Sequence, residues 1–314
     1  MIEPPLQLGN TDVRIPRMGT GAWQWGDRLM WGFGRQYGAR EVEETFHASL
    51  AAGIDFFDTA EIYGSGRSEK FLGKLMAATD RKVVVGTKFL PFPWRVTRGA
   101  LHAALRASLK RLERESVELY QIHQPYPPNA PEVWAEALAE AAQRGLIRAA
   151  GVSNYNADWT RRTQGVLARH GLPLASNQVE YSLLDRHIEH DGTLQACREL
   201  GVTIIAYSPL RKGILGGKYS PAHPPAGPRG AMYNAGYLRR VDPLLNLLRE
   251  IGTAHGGKTP AQVSLNWLIS KGAVPIPGAK NERQVEENAG ALGWRLSPGE
   301  VVRLDKVSAP MAAG

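Results

Sequence analysis

The chain has a single cysteine, Cys197, so no internal disulfide framework can form and the sequence suits a reducing compartment. No apolar run approaches the roughly 20 residues that cross a bilayer; the longest, such as 202–206, are strand-sized. The opening residues, Met1-Ile2-Glu3-Pro4-Pro5, lack the basic and apolar regions of a secretory signal, and a cytoplasmic protein without a membrane partner is expected. No G-x-G-x-x-G follows a strand-like run: Gly64-Ser65-Gly66 and Gly32-Phe33-Gly34 lack the third glycine at the right place, which removes the Rossmann cradle. H-E-x-x-H is missing as well. His187 and His190, beside Asp185, Glu189 and Asp191, read as a solvated loop, so no metal site is expected.

What remains is ordinary globular material. Apolar residues make up 43% and charged residues 22% of 314, enough to bury a full core and too mixed for disorder or a coiled coil. The net charge is +8, but basic residues alternate with acids, as in Arg111-Leu112-Glu113-Arg114-Glu115. This predicts no nucleic-acid partner and a mildly basic surface that helps recruit an anionic small molecule.

Short apolar or β-branched runs recur at 17–20, 55–58, 83–87, 118–123, 149–153, 174–179, 202–207 and 273–277. Helical patterns separate them at 39–51, 69–77, 98–113, 131–144, 157–170, 193–200, 259–269 and 281–291. Gly145, Gly171 and Gly201 follow three of these helices, where a left-handed residue ends the helix. Strand-helix alternation implies parallel pairing with right-handed crossovers, in a doubly wound open sheet or a closed barrel. Eight repeats without a composition break favour one (β/α)8 TIM barrel domain over 1–314. Segments 6–8 and 13–15, joined through Gly9-Asn10, predict an extra N-terminal β-hairpin that closes the barrel bottom. Segments 238–254 and 298–307 are surplus C-terminal helices, and 24–38 and 209–236 are long loops of the kind that carry function.

Barrel active sites lie at the carboxyl ends of the strands. Asp58 ends the second strand, with Phe56 and Ile54 on its inward face; Lys88 ends the third above Gly86 and Val84; His123 ends the fourth after Gln121 and Leu119. Tyr63 follows Asp58 by five residues, close enough to fold over the same mouth. Singly, each has a bland use as a cap, a solvated cation, a hydrogen-bonded ring or a packed aromatic. Together they make chemical sense. A phenol with a pKa near 10 donates poorly at neutral pH, and an adjacent ammonium lowers that value. Asp58 would hold Lys88, His123 would orient a substrate oxygen, and Tyr63 would be the general acid that protonates a developing alkoxide.

These residues resemble the aldo-keto reductases. The resemblance rests on Gly53-Ile54-Asp55-Phe56-Phe57-Asp58-Thr59-Ala60-Glu61-Ile62-Tyr63-Gly64, Val85-Gly86-Thr87-Lys88, Tyr120-Gln121-Ile122-His123 and Gly151-Val152-Ser153-Asn154-Tyr155. It continues through Asn177-Gln178-Val179-Glu180-Tyr181, Tyr207-Ser208-Pro209-Leu210 and Pro277-Gly278-Ala279-Lys280, in family order across nearly the whole chain. Segments 213–219 and 288–294 look most like the branch that includes potassium-channel β subunits and bacterial or plastid reductases.

On the residues alone, Gly278-Ala279-Lys280-Asn281 lies after the last strand and before a helix, where turn amides and Lys280 would hold an anion. The resemblance implies NADP(H) across the barrel mouth, with Ser153, Asn154 and Gln178 on the nicotinamide carboxamide and Tyr207 stacked on the ring. It implies Ser208, Leu210, Lys218 and Arg229 at the pyrophosphate, Gly278 and Lys280 at the 2′-phosphate, and Gln284, Glu287 and Asn288 at the adenosine end. Many relatives carry an arginine where Gln284 stands, so the NADP preference rests on Lys280 and Arg283. Trp23, beside the cofactor, with Trp25, Trp31, Phe33 and Trp94 would line an apolar pocket for an aldehyde or ketone. Two alternatives stand beside this reductase: a Schiff-base aldolase using Lys88, and an NADPH-sensing regulatory subunit with little turnover.

Overall fold

The computed structural model describes residues 4–28, 30–225, 230 and 232–312. Eight parallel strands neighbour one another in chain order: β3 (Thr20–Gly21), β4 (Phe56–Asp58), β5 (Val84–Phe89), β6 (Val117–Ile122), β7 (Ile147–Ser153), β8 (Leu174–Glu180), β9 (Thr203–Tyr207) and β10 (Val274–Pro275). The first and last of these meet. Gly19 N–H donates to Pro275 O at 3.0 Å and Gly21 N–H to Pro277 O at 3.1 Å, which shuts the sheet into a barrel. Glycine is needed at that seam, because a Cβ on Gly21 would stand 2.9 Å from Ile276 O.

The connections are the predicted helices, most with ends within two residues of expectation, while the two surplus helices are longer: 235–254 rather than 238–254, and 298–312 rather than 298–307. The helices are α1 (Ala39–Ala51), α2 (Arg67–Ala77), α3 (Arg98–Leu112), α4 (Pro131–Gln143), α5 (Ala157–Arg169), α6 (Thr193–Leu200), α7 (Ala235–Ala254), α8 (Pro260–Ser270), α9 (Glu282–Ala289) and α10 (Pro298–Ala312). Side-chain caps explain several starts: Asn156 accepts from Trp159 N–H, Thr259 from Gln262 N–H and Asn281 from Gln284 N–H. Gly145, Gly171 and Gly201 take the left-handed conformation expected of them. The first strand lies later than the sequence predicts, at Thr20–Gly21 rather than 17–20, where its seam bonds are made.

The hairpin, β1 (Leu6–Gln7) with β2 (Arg14–Ile15), is present but its turn is wider than Gly9-Asn10. Leu8 N–H bonds Val13 O across a four-residue loop at 2.8 Å. Leu8, Val13 and Ile15 form one buried cluster with Phe56, Val84, Leu119, Ala149, Ala175, Ile205 and Val274, so the hairpin plugs the amino end of the barrel. Ile54 departs from the sequence reading. It packs outside the barrel interior with Met18, Leu265 and Ala291, because regular pairing of that strand begins only at Phe56. Above the apolar floor, Gly86 and Gly151 leave room for the ring of Phe56 and the side chains of Leu119 and Gln121. Above these lies a polar layer: Asp58, Lys88, Gln121, Ser176 and Gln178, all buried.

Candidate active site

Strand register builds the polar layer. Asp58 pairs with Gly86, Lys88 with Gln121 and Ser153 with Gln178, which brings the carboxyl ends of β4 to β8 to one rim. Lys88 Nζ donates to Asp58 Oδ1 at 2.5 Å and to Thr59 O at 2.9 Å, and lies 3.5 Å from Tyr63 Oη, longer than a normal hydrogen bond. The other carboxylate oxygen of Asp58 accepts from Gln178 Nε2 at 2.8 Å and Gln121 Nε2 at 3.3 Å. A buried ion pair depends on further hydrogen bonds to its two partners, and here the carboxylate has two amide donors and the ammonium a carbonyl acceptor besides Asp58. The Tyr63 ring stacks on Trp23 at 6.0 Å, meets the edge of His123 at 5.7 Å and has Lys88 Nζ 5.1 Å from its centroid. His123 Nδ1 is buried and has no hydrogen-bond partner among the described residues.

Protonation follows burial. The phenol of Tyr63 is held well above its usual range by burial and then by the charge of Asp58. This corrects the expectation of an acidified phenol: the nearby ammonium is bound to Asp58, and the resting Tyr63 keeps its proton. Burial pushes the Lys88 ammonium down while Asp58 and Glu69 oppose it. His123 is held down to about 3 by burial and by the charge of Lys88, so its imidazole is neutral.

A cavity of about 730 Å³ opens over this layer. Its walls include Trp23, Asp58, Tyr63, His123, Ser153, Asn154, Gln178, Tyr207, Ser208, Leu210, Lys218, Gly278, Lys280, Gln284, Glu287 and Asn288, so these predicted positions converge on one space; Lys88 lies buried beneath it. Tyr207 Oη donates to Asn154 Oδ1 at 3.0 Å, Asn154 Nδ2 to Ser153 Oγ at 3.0 Å, and Ser153 Oγ to Gln178 O at 2.8 Å. Asn154, Ser208, Arg211 and Lys212 all take left-handed φ, a costly conformation that concentrates at binding loops. Arg211 pins its loop to Glu180 and, at 3.0 Å, to Asp185. Lys280 Nζ donates to Trp31 O at 3.0 Å, tying the loop after β10 to the loop after β3.

Of the aromatic residues expected to line a substrate pocket, Trp31 does so. Trp25 does not: it is fully buried beside Phe57 and donates towards Ala279 O. Phe33 packs against Tyr37 and Phe71, away from the cavity. Trp94 stands 74% exposed, stacked on Phe92, and is not part of the lining. Arg229 lies outside the described residues. The sequence reading missed Gln24, Ile62, Gln124 and Lys212, which line the cavity. Gln24 was findable only as the neighbour of Trp23. Its Oε1 is buried without a partner, and its amide occupies the space a Cβ on Gly278 would fill. An orphaned acceptor beside a glycine turn and a helix N-terminus suits a ligand that brings both hydroxyls and phosphate, as a dinucleotide does.

Comparison with known proteins agrees with the geometry. The sequence profile of the Aldo/keto reductase family matches residues 17–309. The chain is 41% identical over 306 residues to the chloroplastic pyridoxal reductase of Arabidopsis thaliana, covering 93% of this chain and 83% of that protein. It is 33% identical over 317 residues to the aldo-keto reductase yakc, NADP(+), of Schizosaccharomyces pombe, with coverage of 95% and 89%. A crystal structure of a thermostable aldo-keto reductase in complex with the inhibitor epalrestat superposes with a TM-score of 0.77 at 31% identity, covering 97% of this chain and all of that one. Among the described residues no helix is long and apolar enough to cross a membrane. Profile, relatives and neighbouring structure agree on the same barrel fold, and the chain belongs to the aldo/keto reductase family of oxidoreductases.

Proposed function

We propose that the chain reduces an aldehyde or ketone with NADPH, and that Tyr63 delivers the proton the developing alkoxide takes up. The observation that carries this reading is the place of the Tyr63 hydroxyl, on the cavity wall between the Lys88 ammonium and the neutral His123 ring. The cofactor would supply the hydride. Ser153, Asn154, Gln178 and Tyr207 would hold its nicotinamide end; Ser208, Leu210 and Lys218 its diphosphate; Gly278 and Lys280 the 2′-phosphate; Gln284, Glu287 and Asn288 the adenosine. Gln178 has its amide N–H on Asp58, which leaves its carbonyl oxygen for the ligand.

The protein's part is position and charge. Tyr63 holds its proton at rest and releases it as negative charge gathers on the substrate oxygen; Lys88 then faces the phenolate left behind. Asp58, Gln121 and Gln178 keep that ammonium charged and aimed. His123, uncharged and on the cavity wall beside Tyr63, would orient the same oxygen with its imidazole. The aldolase alternative loses its nucleophile, because Lys88 Nζ is directed at three oxygen atoms in a buried site. Trp23 and Trp31 suit a flat aromatic aldehyde, and the likeness to a pyridoxal reductase makes pyridoxal the first substrate to try. A cytoplasmic setting is part of the reading, supported by the lone buried Cys197.

The test is NADPH oxidation over a carbonyl panel, repeated with NADH and with Tyr63→Phe. The substitution should lower kcat by roughly 10² to 10⁴ and leave NADPH affinity unchanged, as expected for loss of a general acid. An undiminished rate in Tyr63→Phe refutes the role, and NADPH binding without turnover across the panel would favour the regulatory-subunit alternative.

A further inference from the structure

The segment that leads from β4 to Tyr63 carries a glutamate for which the mechanism above has no task. Glu61 Oε1 accepts Leu90 N–H at 2.8 Å and Arg95 Nη1 at 2.6 Å, while its Oε2 accepts Arg95 Nη2 at 3.1 Å. The guanidinium also donates to Leu90 O at 3.0 Å and lies 4.4 Å from the centroid of the Phe89 ring. Only 12% of the Glu61 side chain and 20% of the Arg95 side chain are exposed. A forked, sheltered pair of this kind fixes orientation as well as distance, unlike an exposed pair that solvent screens.

The backbone of the same segment is already laid along β5. Thr59 N–H donates to Gly86 O at 2.8 Å and Glu61 N–H to Lys88 O at 3.3 Å, two residues further along each chain. The next donor of that edge, Leu90 N–H, finds the Glu61 carboxylate. Residues 59–61 are thus zipped onto the strand end, with the Arg95 fork as the last fastening before Tyr63. Lys88 reaches through this strip to Thr59 O and sits 3.5 Å from Tyr63 Oη. The spacing between phenol and ammonium therefore depends on how firmly the strip is held.

We propose that Arg95 is a positioning residue for the reduction: through its forked ion pair with Glu61 it holds the Tyr63 hydroxyl in register with Lys88 and His123. The proposal rests on the reading of Tyr63 as proton donor. Arg95 does not line the cavity, so it acts through Tyr63 and touches neither substrate nor cofactor.

The experiment compares wild type, Tyr63→Phe, Arg95→Met and Arg95→Lys in the full chain, measuring kcat, carbonyl KM, NADPH affinity and melting temperature. Arg95→Met keeps an unbranched apolar stem and removes the fork. A loosened catalytic group costs on the order of 10 to 10² in rate, so its kcat should fall by that much, with carbonyl KM and NADPH affinity unchanged. Arg95→Lys should fall between, and in a further variant, Arg95→Ala, which leaves room for the ion, guanidinium at sub-denaturing concentration should restore part of the lost rate. A purely structural pair would lower the melting temperature while leaving kcat per folded molecule at the wild-type value, and that result overturns the proposal. If Arg95→Met does not fold, Glu61→Gln serves instead, since it keeps an acceptor for Leu90 N–H and removes the ion pair; wild-type kcat there overturns the proposal equally. If Tyr63→Phe turns over normally, the proton-donor reading itself has failed. A crippled Tyr63→Phe beside a fully active Arg95→Met removes only the positioning role.

Discussion

His123 shows how burial selects a protonation state at the scale of one residue. Its pKa is held down to about 3, below the roughly 6.5 of an unfolded histidine. The unfolded chain therefore takes up the proton first. The stability that the neutral ring contributes is complete above about pH 6.5 and is lost as pH falls towards the folded value. Two outcomes are expected: kcat passes through the region near pH 6.5 without an inflection from His123, and wild type loses more melting temperature on acidification than His123→Gln. A break in kcat near 6.5 that vanishes in His123→Gln would contradict this. Tyr63 carries the complementary lesson. Sequence placed Asp58, Tyr63, Lys88 and His123 at one rim, since each ends or follows a strand. The Asp58–Lys88 contact, between residues 30 apart, was expected; that burial and the Asp58 charge would leave the Tyr63 phenol well above its usual range was not, because burial is settled only by the packed fold.

The elements that meet at the mouth divide into strand ends, which spacing locates, and loops, which it does not. A strand alternates its faces with period two, so Lys88 could be assigned inward from its neighbours. The loop after β3 has no such period, and Trp25 and Phe33 were indistinguishable from Trp23 and Trp31 until their packing was seen. The Arg95 fork on Glu61 joins two loops 34 residues apart and left no local trace. The turn into α9 was more readable. Asn281 caps that helix, Gln284 folds back to accept Lys280 N–H at 2.9 Å, and the Lys280 ammonium donates to Trp31 O. Lys280→Met is expected to weaken NADPH by the roughly 1.5 to 3 kcal/mol of a charge-assisted contact and to leave NADH almost untouched. Titration of both cofactors by fluorescence checks this, and equal weakening would remove the 2′-phosphate assignment.

At the scale of the molecule, the candidate site occupies one end of the barrel and the apolar floor the other. Eight repeats of strand and helix were legible because no composition break interrupts them, and the runs 6–8 and 13–15 marked the hairpin, although its loop extends past Gly9-Asn10 to residue 12. Leu8 and Ile15 are fully buried in the floor. Replacing both with alanine should cost roughly 2 to 5 kcal/mol at each position, seen as a large fall in melting temperature. NADPH affinity and kcat measured below the transition should not change; a parallel loss of affinity would mean that the two ends are not independent. The seam between β3 and β10 adds a further consequence. The two strands that close the ring are its shortest, and the loops beyond them touch at only a few points, Gln24 against Gly278 and the Lys280 ammonium on Trp31 O, along one wall of the cavity. A dinucleotide lying there would act as a rivet through a hoop, so loading and closure would be thermodynamically linked. Proteases and heat would then part the hoop along that line more readily in the unloaded protein.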